Sequence, residues 1–168
     1  LRLFQEFLPD QERVLGSDHP MTLMIRSNIT LWVAKGGNAR EALRLAKELL
    51  PDQERVLGPD HPSTLTIRNN IANGTGECGD AHEALRLFEA LLPDQGRVLG
   101  RDHPDTLTTR ANLAHWTGLC GDGRAARRLV GVLLPSQQRV LRPDPPDALT
   151  TRTTPPHRPG QIAADDGP

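Results

Sequence analysis

Pro51-Asp52-Gln53-Glu54-Arg55-Val56-Leu57-Gly58 decides the fold, because the same octet stands unchanged at residues 9–16. It returns at 93–100, with Gly96 in place of Glu, and in worn form at 135–142. The triplet behind it recurs at Asp18-His19-Pro20, Asp60-His61-Pro62 and Asp102-His103-Pro104, so that 61 − 19 = 42 and 103 − 61 = 42. A period of 42 falls in the range of stacked arrays, whose units cannot bury their apolar faces alone. Such arrays work by presenting an extended surface, so the period points to a binding scaffold.

Each period reads as two helices. Helix A spans about 19–36, 61–78 and 103–120. The Asp before each Asp-His-Pro proline is expected to cap its free amides, and proline suits the first helical turn. Leu107, Ala111, Ala114 and Leu119 follow helical apolar spacing up to Cys120-Gly121, where Gly supplies a left-handed C-cap. Helix B spans about 38–58, 80–100 and 122–142, with Asn38, Asp80 and Asp122 as N-caps. Pro51, Pro93 and Pro135 fall inside it. A helix-interior proline removes a hydrogen bond and clashes one turn back, so helix B is expected to kink or break there.

The fold class is thus all-α: a right-handed solenoid of antiparallel helix pairs with about seven helices. Residues 1–152 form the array, as a lone helix B at 1–16, repeats at 19–58, 61–100 and 103–142, and a broken fourth repeat at 145–152. Residues 153–168 are rich in Pro, Gly and Asp and read as a disordered tail. Asn73-Gly74-Thr75-Gly76 stands where the other repeats carry Leu31-Trp32-Val33-Ala34 and His115-Trp116-Thr117-Gly118; with two glycines and a large aromatic lost, the second helix A is expected to fray from about residue 73.

Composition excludes several function classes. Net charge is −1, which leaves no electrostatic footprint for nucleic acid or an anionic membrane. Aromatics make up 3% with no Tyr, too few for a base-stacking platform. No apolar run approaches the ~20 residues of a membrane span. The chain lacks a signal peptide and an initiator Met, and reads as a fragment of a longer protein. Cys78 and Cys120 hold equivalent places one repeat apart (120 − 78 = 42). Packed helices lie ~8–10 Å apart, beyond the ~7 Å that a disulfide allows between Cα atoms. Buried or half-buried free thiols in a reducing, cytoplasmic setting are expected.

The three His of the triplets suggest a metal or acid–base site, but whole repeats separate them, whereas a metal needs its ligands at one point. They read as cap and loop geometry. No Ser/His/Asp or Cys/His set converges and no phosphate loop follows a strand, so an enzyme is not expected, nor any metal or cofactor. Arg26, Arg68 and Arg110 form one ladder on helix A and read as structural or solvated. Asn28, Asn70 and Asn112 form another, which either ties neighbouring helices or offers amides to a ligand backbone.

Leu-Gly-x-Asp-His-Pro-x-Thr-Leu (57–65), Arg-x-Asn-Ile/Leu-Ala (68–72 and 110–114), Gly-Asp and Ala84-Leu85-Arg86-Leu87-Phe88 together resemble the tetratricopeptide repeat. The form resembled is the 42-residue one of kinesin light chains and actinobacterial signalling proteins. The likeness covers about residues 1–152. It departs at Val33, Thr75 and Thr117, which stand where the family has a helix A Tyr, and at the helix B prolines. The resemblance implies that helix A lines a concave groove. Repeat one would present Met24, Ser27, Asn28, Leu31 and Lys35. Repeat two would add Thr66, Asn69, Asn70, Asn73 and Glu77, and repeat three Thr108, Ala111, Asn112, His115 and Leu119. It implies an interaction scaffold, part of a larger signalling protein, with a protein or peptide partner held in that groove. The alternative is a spacer or self-assembling module, a homo-oligomer joined through apolar repeat ends such as Phe4, Phe7, Leu129 and Leu133.

Overall fold

The computed structural model describes residues 2–141, with side-chain detail for residues 6–133. Among the described residues seven helices follow one another: α1 (Arg2–Leu15), α2 (Pro20–Lys35), α3 (Ala39–Val56), α4 (Pro62–Glu77), α5 (Ala81–Val98), α6 (Pro104–Leu119) and α7 (Gly123–Leu141). No strand stands among them. The broken fourth repeat and the tail expected at 145–168 lie outside the described residues.

Each helix packs against the next. The A helices also touch each other, α2 on α4 and α4 on α6, while α3 and α5 make no such contact. The A helices therefore form the tighter, inner layer of an all-α helical repeat solenoid. Its core runs along the stack. Leu23, Ala46, Leu49, Ile67 and Ile71 join the first two repeats, and Ala72, Ala84, Phe88, Leu113 and Trp116 join the next two. Val33, Thr75 and Thr117, at the family's Tyr position, are all buried. The two Thr hydroxyls donate to Ile71 O and Leu113 O at 2.7 Å, which satisfies them locally.

The helix A cap is a correction. The histidine holds the first turn, and the aspartate does not. Nδ1 of His19, His61 and His103 accepts from the backbone N–H of Met21, Ser63 and Asp105 at 3.2, 3.1 and 3.2 Å. The imidazole reaches one of the amides that a helix start leaves open. Helix B is capped as expected, with Oδ1 of Asn38, Asp80 and Asp122 accepting from Glu41, Glu83 and Ala125. Gly121 closes α6 at φ +98°, a conformation that only glycine adopts cheaply.

Two further expectations are corrected. Helix B does not break: α3 and α5 run on as helix through Pro51 and Pro93. Both prolines are exposed, so water can satisfy the carbonyl one turn back. The second helix A does not fray either, since α4 continues to Glu77. Gly76 is buried, and a Cβ there would meet the Trp116 ring at 2.5 Å. Gly74 lies against Leu43. Gly76 is the seat on which the next repeat's indole rests, and the indole N–H donates to Asn73 Oδ1 at 3.4 Å. Cys78 and Cys120 are free thiols as expected, but Cys78 is exposed and only Cys120 is half-buried.

Candidate functional site

The octet acquires its meaning from the ion pairs it makes. Arg26 of α2 donates to Asp52 of α3 at 2.7 Å, and one repeat later Arg68 donates to Asp94 at 2.9 Å. Arg55 forks onto Asp18 at 2.6 and 2.8 Å, and Arg97 onto Asp60 at 2.6 and 2.9 Å. Arg55 also reaches Asp52, and Arg97 reaches Asp94. The first two repeats are thus each stitched by a chain of four charges that starts at the Asp of Asp-His-Pro. The Arg55 guanidinium holds the Asp18 carboxyl below the usual carboxylate range, and Arg97 does the same to Asp60. Arg26, aided by Arg55, lowers Asp52. The first two rungs of the Arg ladder are structural and leave the groove to other side chains.

The inner layer opens into a cleft of about 280 Å³ between α2, α4 and α6. Leu31 and Lys35 form one wall, Asn69, Asn70, Asn73 and Glu77 the floor, and Asn112 the far side. Five of the eight residues expected at the groove are therefore brought together: Leu31, Asn69, Asn70, Asn73 and Asn112. Ser27, Asn28 and His115 do not line it. Ser27 is half-buried, and its carbonyl accepts from Thr30 Oγ1 at 2.6 Å. His115 is exposed, edge-on to Trp116 with ring centroids 5.1 Å apart. Thr30, Ala34, Ala42 and Gly74 line the cleft without having been expected there. The loss of bulk at Gly74 was the readable sign of an opening at that place.

The tie between neighbouring helices is made by Asn69, whose Nδ2 donates to Thr109 Oγ1 of α6 at 2.7 Å. Asn73 accepts from Trp116 and donates to Glu77 at 2.7 Å. No hydrogen bond to another described side chain or backbone group engages the amides of Asn70 or Asn112. Lys35 is held over the Trp32 ring, its Nζ 5.1 Å from the centroid. The cleft thus carries two uncommitted amides between a cation at one wall and the Glu77 carboxylate on its floor. Among the described residues, no group of three or more His, Cys, Asp or Glu gathers to hold a metal. No helix there is long and apolar enough to cross a membrane.

A family model for the tetratricopeptide repeat matches residues 22–63 and 64–105, half of the chain. The chain belongs to the tetratricopeptide repeat family. Repeats of this family generally mediate protein–protein interaction, and the fold is typically a non-enzymatic interaction module. Among solved structures, it is similar to the nearly identical TPR-like repeats of a chain from Podosopora anserina designated a kinesin light chain. A single-substitution form of that chain has 25% identity and a TM-score of 0.66 over 84% of this chain and 66% of that one. Its other form has 25% identity and a TM-score of 0.64 over 84% and 67%. BtubC (BKLC) from P. vanneervenii has the same fold at 15% identity, with a TM-score of 0.69 over 99% of this chain and 63% of that one. The chain therefore spans about two thirds of each of these solved chains. No curated protein matches it.

Proposed function

We propose that this tetratricopeptide array binds an extended or helical peptide segment of a partner protein in the cleft between α2, α4 and α6. The observation that carries this reading is the pair of uncommitted amides, Asn70 and Asn112, facing the cleft one repeat apart. A carboxamide offers one acceptor and two donors, which suits the N–H and C=O of a peptide backbone whatever its side chains. An extended peptide advances ~3.3 Å per residue, so amides one repeat apart meet main-chain groups about three residues apart. The free thiols fit a reducing, cytoplasmic setting within a larger signalling protein.

Replacing both Asn70 and Asn112 by Ala is expected to weaken capture of a groove peptide by ~1–3 kcal/mol, the cost of unmade bonds to a desolvated backbone. The melting temperature should hardly move, because neither amide bonds within the fold. Normal binding together with a large loss of stability would show the ladder to be structural. A second reading, self-association, is favoured by Trp32. Its repeat equivalent Trp116 is 6% exposed on Gly76, whereas Trp32 is 45% exposed. Light scattering over a dilution series tests it: mass that grows with concentration supports assembly, and constant mass rejects it.

A further inference from the structure

Beside the main cleft lies a smaller one of about 150 Å³, lined by Thr66, Asn69 and Asn70 of α4, Gln95 of α5, and Asp105 and Thr108 of α6. Asn69 and Asn70 line both, so the two are neighbours. Gln95 is 1% exposed, and its Oε1 is buried with no hydrogen-bond partner. An unpaired buried amide is costly in a closed fold. Here it lines an opening.

The walls combine oxygens that can only accept with amides that can do either. The hydroxyls of Thr66 and Thr108 spend their protons on Pro62 O and Pro104 O, both at 2.9 Å, and keep only lone pairs. Asn69 spends one donor on Thr109 and keeps its Oδ1 and a second N–H, while Asn70 keeps its whole amide. Asp105 adds the one charge in the lining, a carboxylate that is half exposed. Its backbone N–H, not its carboxylate, holds the His103 cap. The Gln95 amide can turn its oxygen inward by rotation about its last bond, since neither end is bonded within the protein. Asp105 supplies the one charge, and the Thr66 and Thr108 oxygens can only accept, so the cleft selects a donor-rich cation.

The preceding interface lacks this character. There Met24, Ser27, Gln53 and Ser63 stand at the places of Thr66, Asn69, Gln95 and Asp105, each 42 residues earlier. No carboxylate stands at those places, and both amide atoms of Gln53 are sealed, against Oε1 alone in Gln95.

We propose that the Gln95–Asp105 cleft binds a primary ammonium, the lysine side chain of the segment held in the groove. The proposal rests on the peptide-binding reading and specifies one residue of the ligand.

The test has two arms on the full chain. In the first, isotope-labelled protein is titrated with N-acetyl-lysine amide and, separately, with its apolar norleucine analogue, while side-chain amide signals are followed by NMR. Saturable shifts of Gln95, Asn69 and Asn70 with the lysine probe alone are expected, weakened about tenfold in Asp105→Asn. No shifts, equal response to norleucine, or indifference to Asp105→Asn overturns the proposal. So does tighter binding of spermidine, which would make a free polyamine the ligand. In the second arm, decapeptides are selected from a random library. They should carry a lysine whose replacement by norleucine costs about tenfold in the native chain and nothing in Asp105→Asn. Peptides that depend on Asn70 and Asn112 but carry no such lysine would sink the ammonium site and leave the groove reading standing. If no peptide is selected although the lysine probe binds at Gln95, the groove reading falls and the ammonium site stands.

Discussion

At the scale of single residues, a short motif does two jobs that its letters do not separate. In Asp18-His19-Pro20 and Asp60-His61-Pro62 the histidine caps the helix, and the aspartate reaches the Arg that lies 37 residues later. Replacing His61 by Ala should cost ~1 kcal/mol, as loss of a side-chain cap does, while His61→Asn should retain most of it. Urea denaturation of the three proteins checks this, and equal loss in both variants would contradict the cap. The aspartates make a separate prediction. The Asp18, Asp52 and Asp60 carboxyls titrate lower in the folded chain than when unpaired. Their pairs therefore stabilise the fold at pH above the unfolded carboxylate value of ~4, and that contribution fades as pH falls through the lower folded values. The melting temperature should drop between about pH 6 and pH 3 more steeply in the native chain than in an Asp18→Asn/Asp52→Asn variant. High salt should narrow the difference, because the pairs are largely open to solvent.

At the scale of elements, two glycines in helices should respond in opposite ways. Gly76→Ala improves helix propensity by ~1 kcal/mol but drives a Cβ to 2.5 Å from the Trp116 ring. Overpacking costs ~1–3 kcal/mol, so the variant should be less stable. A smaller side chain at position 116 should relieve it, which a double-mutant cycle on Gly76→Ala and Trp116→Leu can measure. Gly96 in α5 has nothing within 4 Å of an added Cβ. Gly96→Ala should therefore stabilise by up to ~1 kcal/mol. A result of the opposite sign at either site would mean that the packing described for that helix is wrong.

At the scale of the whole molecule, the array is a line of neighbours, so stability follows how much each helix shares with the helices beside it. Leu65, Ile67, Phe88 and Leu91 are all but fully buried, whereas Phe7, Val14 and Leu15 of α1 stand exposed. Amide hydrogen exchange should be slowest in α4 and α5 and fast in α1. Uniform protection along the stack would indicate a single cooperative unit instead.

The sequence by itself determined the all-α repeat, because a 42-residue period and the helix-ending glycines are local signals that packing does not overrule. It also placed the caps of helix B and the separation of the two thiols. Only the tertiary structure decided that Pro51 is tolerated, because tolerance depends on which side of the helix meets water. Only the structure could show Gly74 and Gly76 as a seat for Leu43 and Trp116, since the cost of glycine is local and its gain arises a whole repeat away. The candidate groove was half legible. The Asn ladder marked the face, yet which rungs remain free depends on partners such as Thr109 and Trp116, brought close by stacking. Gln95 gave no sign at all. It is one polar residue of helix B in the sequence, and it becomes a buried side chain with an unpaired Oε1 only when the stack closes around it.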